Sequence, residues 1–432
     1  MRMAVIADDL TGANDTGVQF AKKGLNTTVL FSDTPLQPKH MKEDVIVLNS
    51  DSRALSMEKA YEAVHHLSAQ LKELGVSKVF KKIDSTMRGN IVPEIDAVMD
   101  VFQIKTAFVV PAFPKSGRTT LDGYHYVNDV LLEETAISRD PVSPVKESFL
   151  PRLLQEQGKR KVELISISDV RKGKNHLIGK MNQLTSDERI IVIDATTDEE
   201  MQTIADAAES LKESFLWVGS AGIAAHLFSE EESKELSHSV QMHDRPPVLV
   251  VAGSVNPIIA LQIQDLKDNY NIEEIILSPE EFFYEERRQQ EIERAVNAGT
   301  AQLEKGDLVV STNREREVIN RIKELQLNLG LSNFEVGYTI AQSMGEIAGQ
   351  IIKSKEISGA VLTGGDIAGA ACKALNGEGI RVIGEVEAGI PYGKLFGGLF
   401  DGMQLVTKAG AFGTKQALSR ALQTITEENA QS

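Results

Sequence analysis

The chain opens on MRMAVIADDLTGANDTG, residues 1–17. Met3–Ala7 is an apolar run of strand length, too short for a buried helix. It ends on two adjacent acids, Asp8 and Asp9. Thr11, Gly12, Asn14, Asp15 and Gly17 follow. A helical pattern covers Gly12–Lys23, with Gly24 as its stop. A strand that delivers acids into a turn and runs on into a helix is the first unit of a parallel α/β layer. A plain helix cap accounts for either acid alone. Alternation of side chains puts Asp8 on the face opposite Asp9, so Asp9 is the ligand candidate.

The same alternation continues outward from that unit. Strands are expected at Met3–Ala7, Val45–Leu48, Lys78–Ile83, Thr106–Val110, Val162–Ile165, Arg189–Ile193 and Phe215–Val218. It restarts with strand Val248–Ala252, helix Pro257–Asn269, and strands Glu274–Leu277 and Leu308–Thr312. Then come a long helix within Gly337–Lys355, strand Gly359–Leu362, helix Ile367–Leu375, and strands Arg381–Val386 and Gln404–Lys408. Glu280–Glu304, rich in Glu, Arg and Gln, is expected to be a solvated helix. Between the two series lies LFSEEESKELSHSVQMHDRPP, Leu227–Pro247, polar and closed by two prolines. The expectation is α/β: two α/β domains with mostly parallel sheets and a cleft between them. The first spans residues 1–230, the linker 231–247 and the second 248–432. Two domains also suit 432 residues, because single cores stop growing at roughly 250–300.

Composition narrows the classes. The formal charge of −16 opposes binding to nucleic acid or an anionic membrane surface. An anionic substrate would need a local basic site. A single cysteine, Cys372, cannot form an intramolecular disulfide and fits a reducing cytoplasm. It reads as a small buried hydrophobe. The N-terminal apolar run is too short for a signal peptide, and no window approaches the roughly 18 apolar residues of a membrane span. The expected location is cytoplasmic. A homo-oligomer is compatible with these features.

Chemistry gathers at strand ends. KKIDSTMRGN, Lys81–Asn90, brings Lys82 and Asp84 onto one face of a strand and adds Ser85, Thr86, Arg88 and Gly89. Lysine and arginine suit a carboxylate, and aspartate suits hydroxyls, so the group fits a polyhydroxy acid. A structural ion pair is the plainer account. Arg53, in Ser50-Asp51-Ser52-Arg53, reaches the same sheet edge as Asp9 and Asp84. Pro111–Thr135 is dense in Pro, Gly and polar groups and begins without a period. It reads as a covering loop.

In the second half, glycine-rich turns follow strands at Ala252–Pro257, Leu362–Ala371 and Thr407–Gly413. Free backbone N–H groups at such helix starts suit phosphate. Leu395–Gly402 adds further turn glycine. There is no Walker loop and no GxGxxG. No metal-ligand spacing occurs, and His65-His66 fit a solvated helix. VGSAG around Ser220 is an incomplete nucleophile elbow.

Jointly, ADDLTGANDTG, KKIDSTMRGN, VVPAFPKSGRTTLDGYHYVN, VAGSVNP, LTGGDIAGAA and VTKAGAFG resemble the four-carbon acid sugar kinase family, long known as a domain of unknown function. The resemblance covers essentially the whole chain. It implies an N-terminal acid-sugar-binding domain, a C-terminal nucleotide-binding domain, and phosphorylation of the terminal hydroxyl of a four-carbon sugar acid by ATP with Mg²⁺. It implies substrate contacts at Asp9, Arg53 and Lys82-Ile83-Asp84-Ser85. It implies nucleotide contacts at Ser254, Gly364-Gly365-Asp366 and Gly410. Arg88 joins the substrate group and Thr363 the nucleotide group by position. Asp366, at a helix start behind two glycines, is the expected base, with Asp9 and Asp84 next. A plain N-cap is its bland alternative. Asn14-Asp15-Thr16-Gly17 most resembles the D-threonate branch, with D-erythronate and 3-oxo-tetronates as alternatives. A non-catalytic binding protein and a Rossmann-type oxidoreductase are the other classes. The carboxylates in the site oppose the first, and the missing dinucleotide fingerprint opposes the second.

Overall fold

The computed structural model describes residues 1–32, 34–140, 142–185, 188–228 and 245–429. The chain divides into two compact units, Met1–Ser233 and Lys234–Ser432. Most of the expected linker, residues 231–244, lies outside the described residues. Among the described residues no helix is long and apolar enough to cross a membrane.

The first unit contains β1 (Met3–Ala7), β2 (Thr27–Leu30), β3 (Val45–Asn49), β4 (Val79–Lys82), β5 (Thr106–Val110), β6 (Arg118–Leu121), β7 (Tyr124–Val127), β8 (Val130–Leu131), β9 (Lys161–Ile165), β10 (Arg189–Ile193) and β11 (Leu216–Gly219). Eight of these form one sheet in the order β2-β3-β1-β4-β11-β5-β10-β9, and every neighbouring pair is parallel. β1 lies inside the sheet and all five of its residues are buried. This is why it is an unbroken apolar run: helices cover both faces of a parallel sheet. The helix Leu10–Ala21 starts at once because Asp9 Oδ1 accepts the N–H of Gly12 at 2.8 Å. Past that helix Gly24 takes φ +80°, as a stop residue should.

Two expectations need correction here. β4 ends at Lys82, so Asp84 is carried by the turn and not by strand alternation. Residues 118–131 are not a loop. They form the antiparallel sheet β6-β7-β8. Its turns are Asp122-Gly123 (φ +50° and +81°) and Asn128-Asp129 (φ +50° and +63°). Positive φ at both central residues is the two-residue hairpin geometry that matches strand twist. β2 was also absent from the expectation. It has only four residues, two of them threonine.

The second unit contains β12 (Val248–Ala252), β13 (Glu273–Leu277), β14 (Leu308–Thr312), β15 (Gly359–Thr363), β16 (Gly379–Glu387), β17 (Ile390–Phe396) and β18 (Gln404–Lys408). The order is β13-β14-β12-β15-β18-β17-β16. The first five are parallel, and β17 runs antiparallel to both neighbours. β17 occupies part of the stretch expected to be only turn, and glycines 397, 398 and 402, all at positive φ, form the turn beyond it. On one face of the sheet Val250, Val361 and Val406 pack against Ile259, Leu418 and Ile425. On the unit's helical side, Asn333–Ser354 and Gly365–Ala374 pack through small residues. A Cβ on Gly345 would lie 2.3 Å from Ala370 Cβ, and one on Gly349 would lie 2.5 Å from Ala374 Cβ.

Both units reverse their strand order in the same way. The chain leaves β1 for β2 and β3 on one side, then crosses to β4 on the other. It leaves β12 for β13 and β14, then crosses to β15. In open α/β sheets ligands bind beyond the carboxyl ends of strands at such reversals.

Candidate active site

In the first unit the reversal brings three strand ends side by side, with Ala7 opposite both Asn49 and Lys82. Backbone bonds fasten the turns together: Ser52 and Arg53 both donate their N–H to the Asp8 carbonyl, at 3.0 and 3.3 Å. Arg53 then spans the acids. Its Nε and Nη2 donate to the two Asp8 oxygens at 2.7 and 3.0 Å, and its Nη1 to Asp9 Oδ2 at 2.6 Å. Asp84 Oδ1 is 3.8 Å away. Asp8 therefore does not turn away from Asp9. Both carboxylates meet on one guanidinium, because β1 ends at Ala7 and the turn no longer alternates faces.

Arg88 is equally engaged. Its Nε donates to Asp84 Oδ2 at 2.8 Å and its Nη1 to Asp140 Oδ2 at 3.3 Å. Thr86 Oγ1 also donates to Asp84 Oδ2. Burial alone would raise Asp84, but the hydrogen bond from Arg88, the nearby Arg53 charge and Thr86 outweigh it and hold the carboxyl well below its usual range. Asp9 goes the other way. Burial and the neighbouring Asp8 push it up, against the pull of Arg53, Lys82 and the Gly12 N–H.

Lys82 differs from both arginines. It is 4% exposed, and its Nζ donates to the Ile83 carbonyl at 2.8 Å. Among the described residues no carboxylate lies within ion-pair distance of it. Gly12 leaves it room: a Cβ there would sit 2.7 Å from Asp9 Oδ1 and 2.8 Å from Lys82 Nζ. Ile83 is buried, and Ser85 is fixed through its carbonyl, which His125 Nε2 meets at 2.8 Å.

Below these turns lies a pair that sequence reasoning missed. Lys81 Nζ is 2.7 Å from Glu94 Oε2, both side chains being essentially unexposed. Ser52 Oγ donates to Glu94 Oε1 at 2.6 Å. Lys81 faces opposite to Lys82, so the doubled lysine was the available signal.

In the second unit β12, β15 and β18 are adjacent, with Ala252 opposite Thr363 and Thr363 opposite Lys408. Ser254, the turn Gly364–Asp366 and Gly410 thus project from one sheet edge. The Gly364 N–H bonds the Lys408 carbonyl at 2.7 Å. A Cβ on Gly410 would lie 2.5 Å from Ser254 Oγ, so those turns touch. Gly364 has φ +110°, and a Cβ on Gly365 would meet nothing within 4 Å. Asp366 is exposed and sits at the second position of its helix. The cap is Gly364, so Asp366 is not a plain N-cap. Thr363 is fully buried, and its Oγ1 has no hydrogen-bond partner. Cys372 is buried, which pushes its thiol up to about 12. Ser220 is buried as well, its hydroxyl bonded to the Ala112 carbonyl at 2.9 Å.

Residues 3–227 match the model of a sugar-binding N-terminal domain, and residues 249–418 that of a nucleotide-binding C-terminal domain. The chain is 36% identical to the D-threonate kinase of Salmonella typhimurium, over 99% of each chain. It is 32% identical to the D-erythronate kinase of Heliobacterium modesticaldum, over 96% of this chain and 95% of that one. A 3-oxo-tetronate kinase of Haemophilus influenzae is 26% identical over 95% of this chain and 97% of its own. A solved Haemophilus influenzae protein, 25% identical, aligns over 98% of this chain and all of its own with a TM-score of 0.79. A Salmonella typhimurium structure, at 23% identity and a TM-score of 0.80 over 97% of this chain and 98% of its own, shares the fold. With both domain models matched in order and kinase relatives aligned along almost the full length, the chain belongs to the four-carbon acid sugar kinase family.

Proposed function

We propose that this sugar-acid kinase phosphorylates the 4-hydroxyl of D-threonate, giving 4-phospho-D-threonate and ADP. The observation that carries the reading is Lys82, a buried ammonium with no carboxylate partner among the described residues, set beside acids that are already paired. A charge left so in a buried site suits an anionic ligand. On this reading the sugar acid's carboxylate rests on Lys82, and Asp9 and Asp84 orient its hydroxyls. Arg53, Arg88 and Ser85 hold the frame.

The nucleotide's phosphates would lie on the N–H groups of Gly364-Gly365-Asp366, with Ser254, Thr363 and Gly410 alongside. Among the described residues no cluster of three His, Cys, Asp or Glu is built to hold a metal. Mg²⁺ carried by phosphates needs only one or two carboxylates from the protein, so the phosphates and water would fill most of its shell. Bound there, the ion would neutralise phosphate charge. In the transfer the 4-oxygen bonds to the γ-phosphorus, the bond to the β-phosphate oxygen breaks, and the hydroxyl proton passes to a carboxylate. Asp366 is the first choice for that base and Asp9, with its raised proton affinity, the second. Asp84 holds its negative charge too firmly to take the proton.

The relatives' names span three substrates, so the choice of D-threonate rests on the opening helix. Asn14 there is buried with an unpartnered side-chain oxygen, which a substrate hydroxyl could satisfy. ADP release should be followed with ATP, Mg²⁺ and D-threonate, D-erythronate or 3-oxo-tetronates. D-Threonate should give the highest kcat/KM. A preference for another acid overturns the substrate, and no ADP from any acid overturns the kinase reading. Asp366→Asn should lower turnover about 100-fold or more with D-threonate affinity unchanged. Near-normal turnover removes it from the mechanism.

A further inference from the structure

The loop after β18, Ala409–Thr414, has its carbonyls gathered to one side. Lys408 Nζ donates to the carbonyls of Ala409, Gly410 and Phe412 at 3.0, 3.3 and 2.9 Å. Gln262 Nε2, from the helix Pro257–Asn269, donates to those of Phe412, Gly413 and Thr414 at 3.1, 3.4 and 2.8 Å. Both side chains are buried, Lys408 at 2% exposure and Gln262 at 0%. Five of the loop's six carbonyls are thus engaged by two side chains.

A trans peptide unit points its C=O and N–H in opposite directions. Drawing the carbonyls of 409, 410 and 412 inward therefore turns the N–H groups of Gly410, Ala411 and Gly413 outward. None of these three amides has a hydrogen-bond partner among the described residues. Gly410 also abuts Ser254 Oγ. Successive outward amides make an anion-binding concavity. Lysine suits the hub because an ammonium has three donors and all three are used here. No donor is left over for a ligand, and the charge cancels carbonyl dipoles that would otherwise repel phosphate.

We propose that Lys408 and Gln262 are positioning residues that shape the loop 409–414 into a seat for the nucleotide's phosphates without touching them. This inference rests on the reading above that the nucleotide lies on the glycine turns of the second unit. It assigns work to a buried lysine and glutamine which that reading leaves unused.

The test is calorimetric titration of the full-length protein with ADP and with adenosine, the latter by displacement. Lys408→Met and Gln262→Leu should each weaken ADP at least tenfold while adenosine and D-threonate affinities stay within twofold, because only phosphate uses the amides. ADP affinity within twofold of the unmodified protein in both variants overturns the inference. So does an equal loss for ADP and adenosine, which marks a general structural role. If Lys408→Met does not fold, Gln262→Leu carries the test, since it removes an uncharged anchor from the other end of the loop. Gly365→Val separates the two readings. If it also leaves ADP affinity unchanged, the nucleotide does not lie on these turns and both fall. If it abolishes ADP binding while the other two variants bind normally, only the present inference falls.

Discussion

Lys82 and Arg53 carry the same charge near the same sheet edge, yet the structure gives them different work. Arg53 is a bracket. It holds Asp8 with two bonds and Asp9 with one, so three of its five N–H groups already fix the acids. Lys82 bonds only a backbone carbonyl among the described residues. A charge-assisted hydrogen bond contributes about 1.5–3 kcal/mol, or about 10- to 100-fold in affinity. Lys82→Met should therefore lower kcat/KM for the sugar acid by about that factor and leave the KM for ATP within twofold. Lys82→Arg should not rescue it, because a planar fork needs room that Asp9 and the Gly12 backbone take. If Lys82→Met is silent and Arg53→Lys raises the sugar-acid KM instead, the carboxylate sits on Arg53. At this scale the sequence was informative about which residues meet and poor about who pairs with whom. Asp9, Arg53, Lys82 and Asp84 all stand at strand ends, where periodicity locates them. That Asp8 shares Arg53 with Asp9 depends on the backbone path after Ala7, which no spacing encodes.

The small sheet β6-β7-β8 shows the same limit for an element, and how it could have been found. Its strands have two to four residues, too short for a periodic signal, but Asp122-Gly123 is a strong hairpin dipeptide. The sheet carries His125 beneath the turn that holds Asp84 and Ser85. His125 is fully buried between Thr120 Oγ1 and the Ser85 carbonyl, so its neutral ring donates from Nε2 and accepts at Nδ1. Burial pushes it down to about 4 from an ordinary 6.5, despite the Ser85 carbonyl and Asp84. The unfolded chain thus binds a proton between pH 6.5 and 4 that the fold refuses, and stability falls as pH drops through that window. A shift of this size corresponds to a loss of about 3 kcal/mol by pH 4. His125→Gln keeps a donor for Ser85 and does not titrate. Urea unfolding from pH 7 to 4 should show a smaller acid loss in that variant. An equal loss in both proteins would mean that His125 is already protonated in the fold. Other elements escaped for a different reason. The helix Arg316–Leu329 carries Val318, Ile322, Leu325 and Leu329 at helical spacing, so its stripe was legible though not read, and of these only Val318 is buried.

For the whole molecule, what the sequence announced was alternation. Of the fully buried strands, Met3–Ala7 and Val248–Ala252 are plain apolar runs and Leu308–Thr312 is an apolar run closed by Ser311 and Thr312, and their boundaries were legible to the residue. Strand order was not legible, because it is set by which crossovers pack on which face, and the order is what creates the reversals at β1/β4 and β12/β15. Net charge is a property of the same scale, and it acts on the reaction independently of any single contact. The chain carries −16, while both proposed ligands are anions, one of them multiply charged. Long-range repulsion should therefore slow their encounter, and salt should relieve it. The screening length falls from about 30 Å at 0.01 M to about 8 Å at 0.15 M ionic strength. Buried pairs such as Lys81–Glu94, and Lys82 itself, are screened much less. Raising potassium chloride across this range should thus increase kcat/KM for the sugar acid a few-fold, and for ATP more steeply because its charge is larger. kcat should hardly move, since the bound ligands no longer face the bulk field. Steady-state rates at fixed Mg²⁺ and pH check this directly. A kcat/KM that falls with salt for either ligand would show that cations near the strand ends, not the acidic whole, govern its approach.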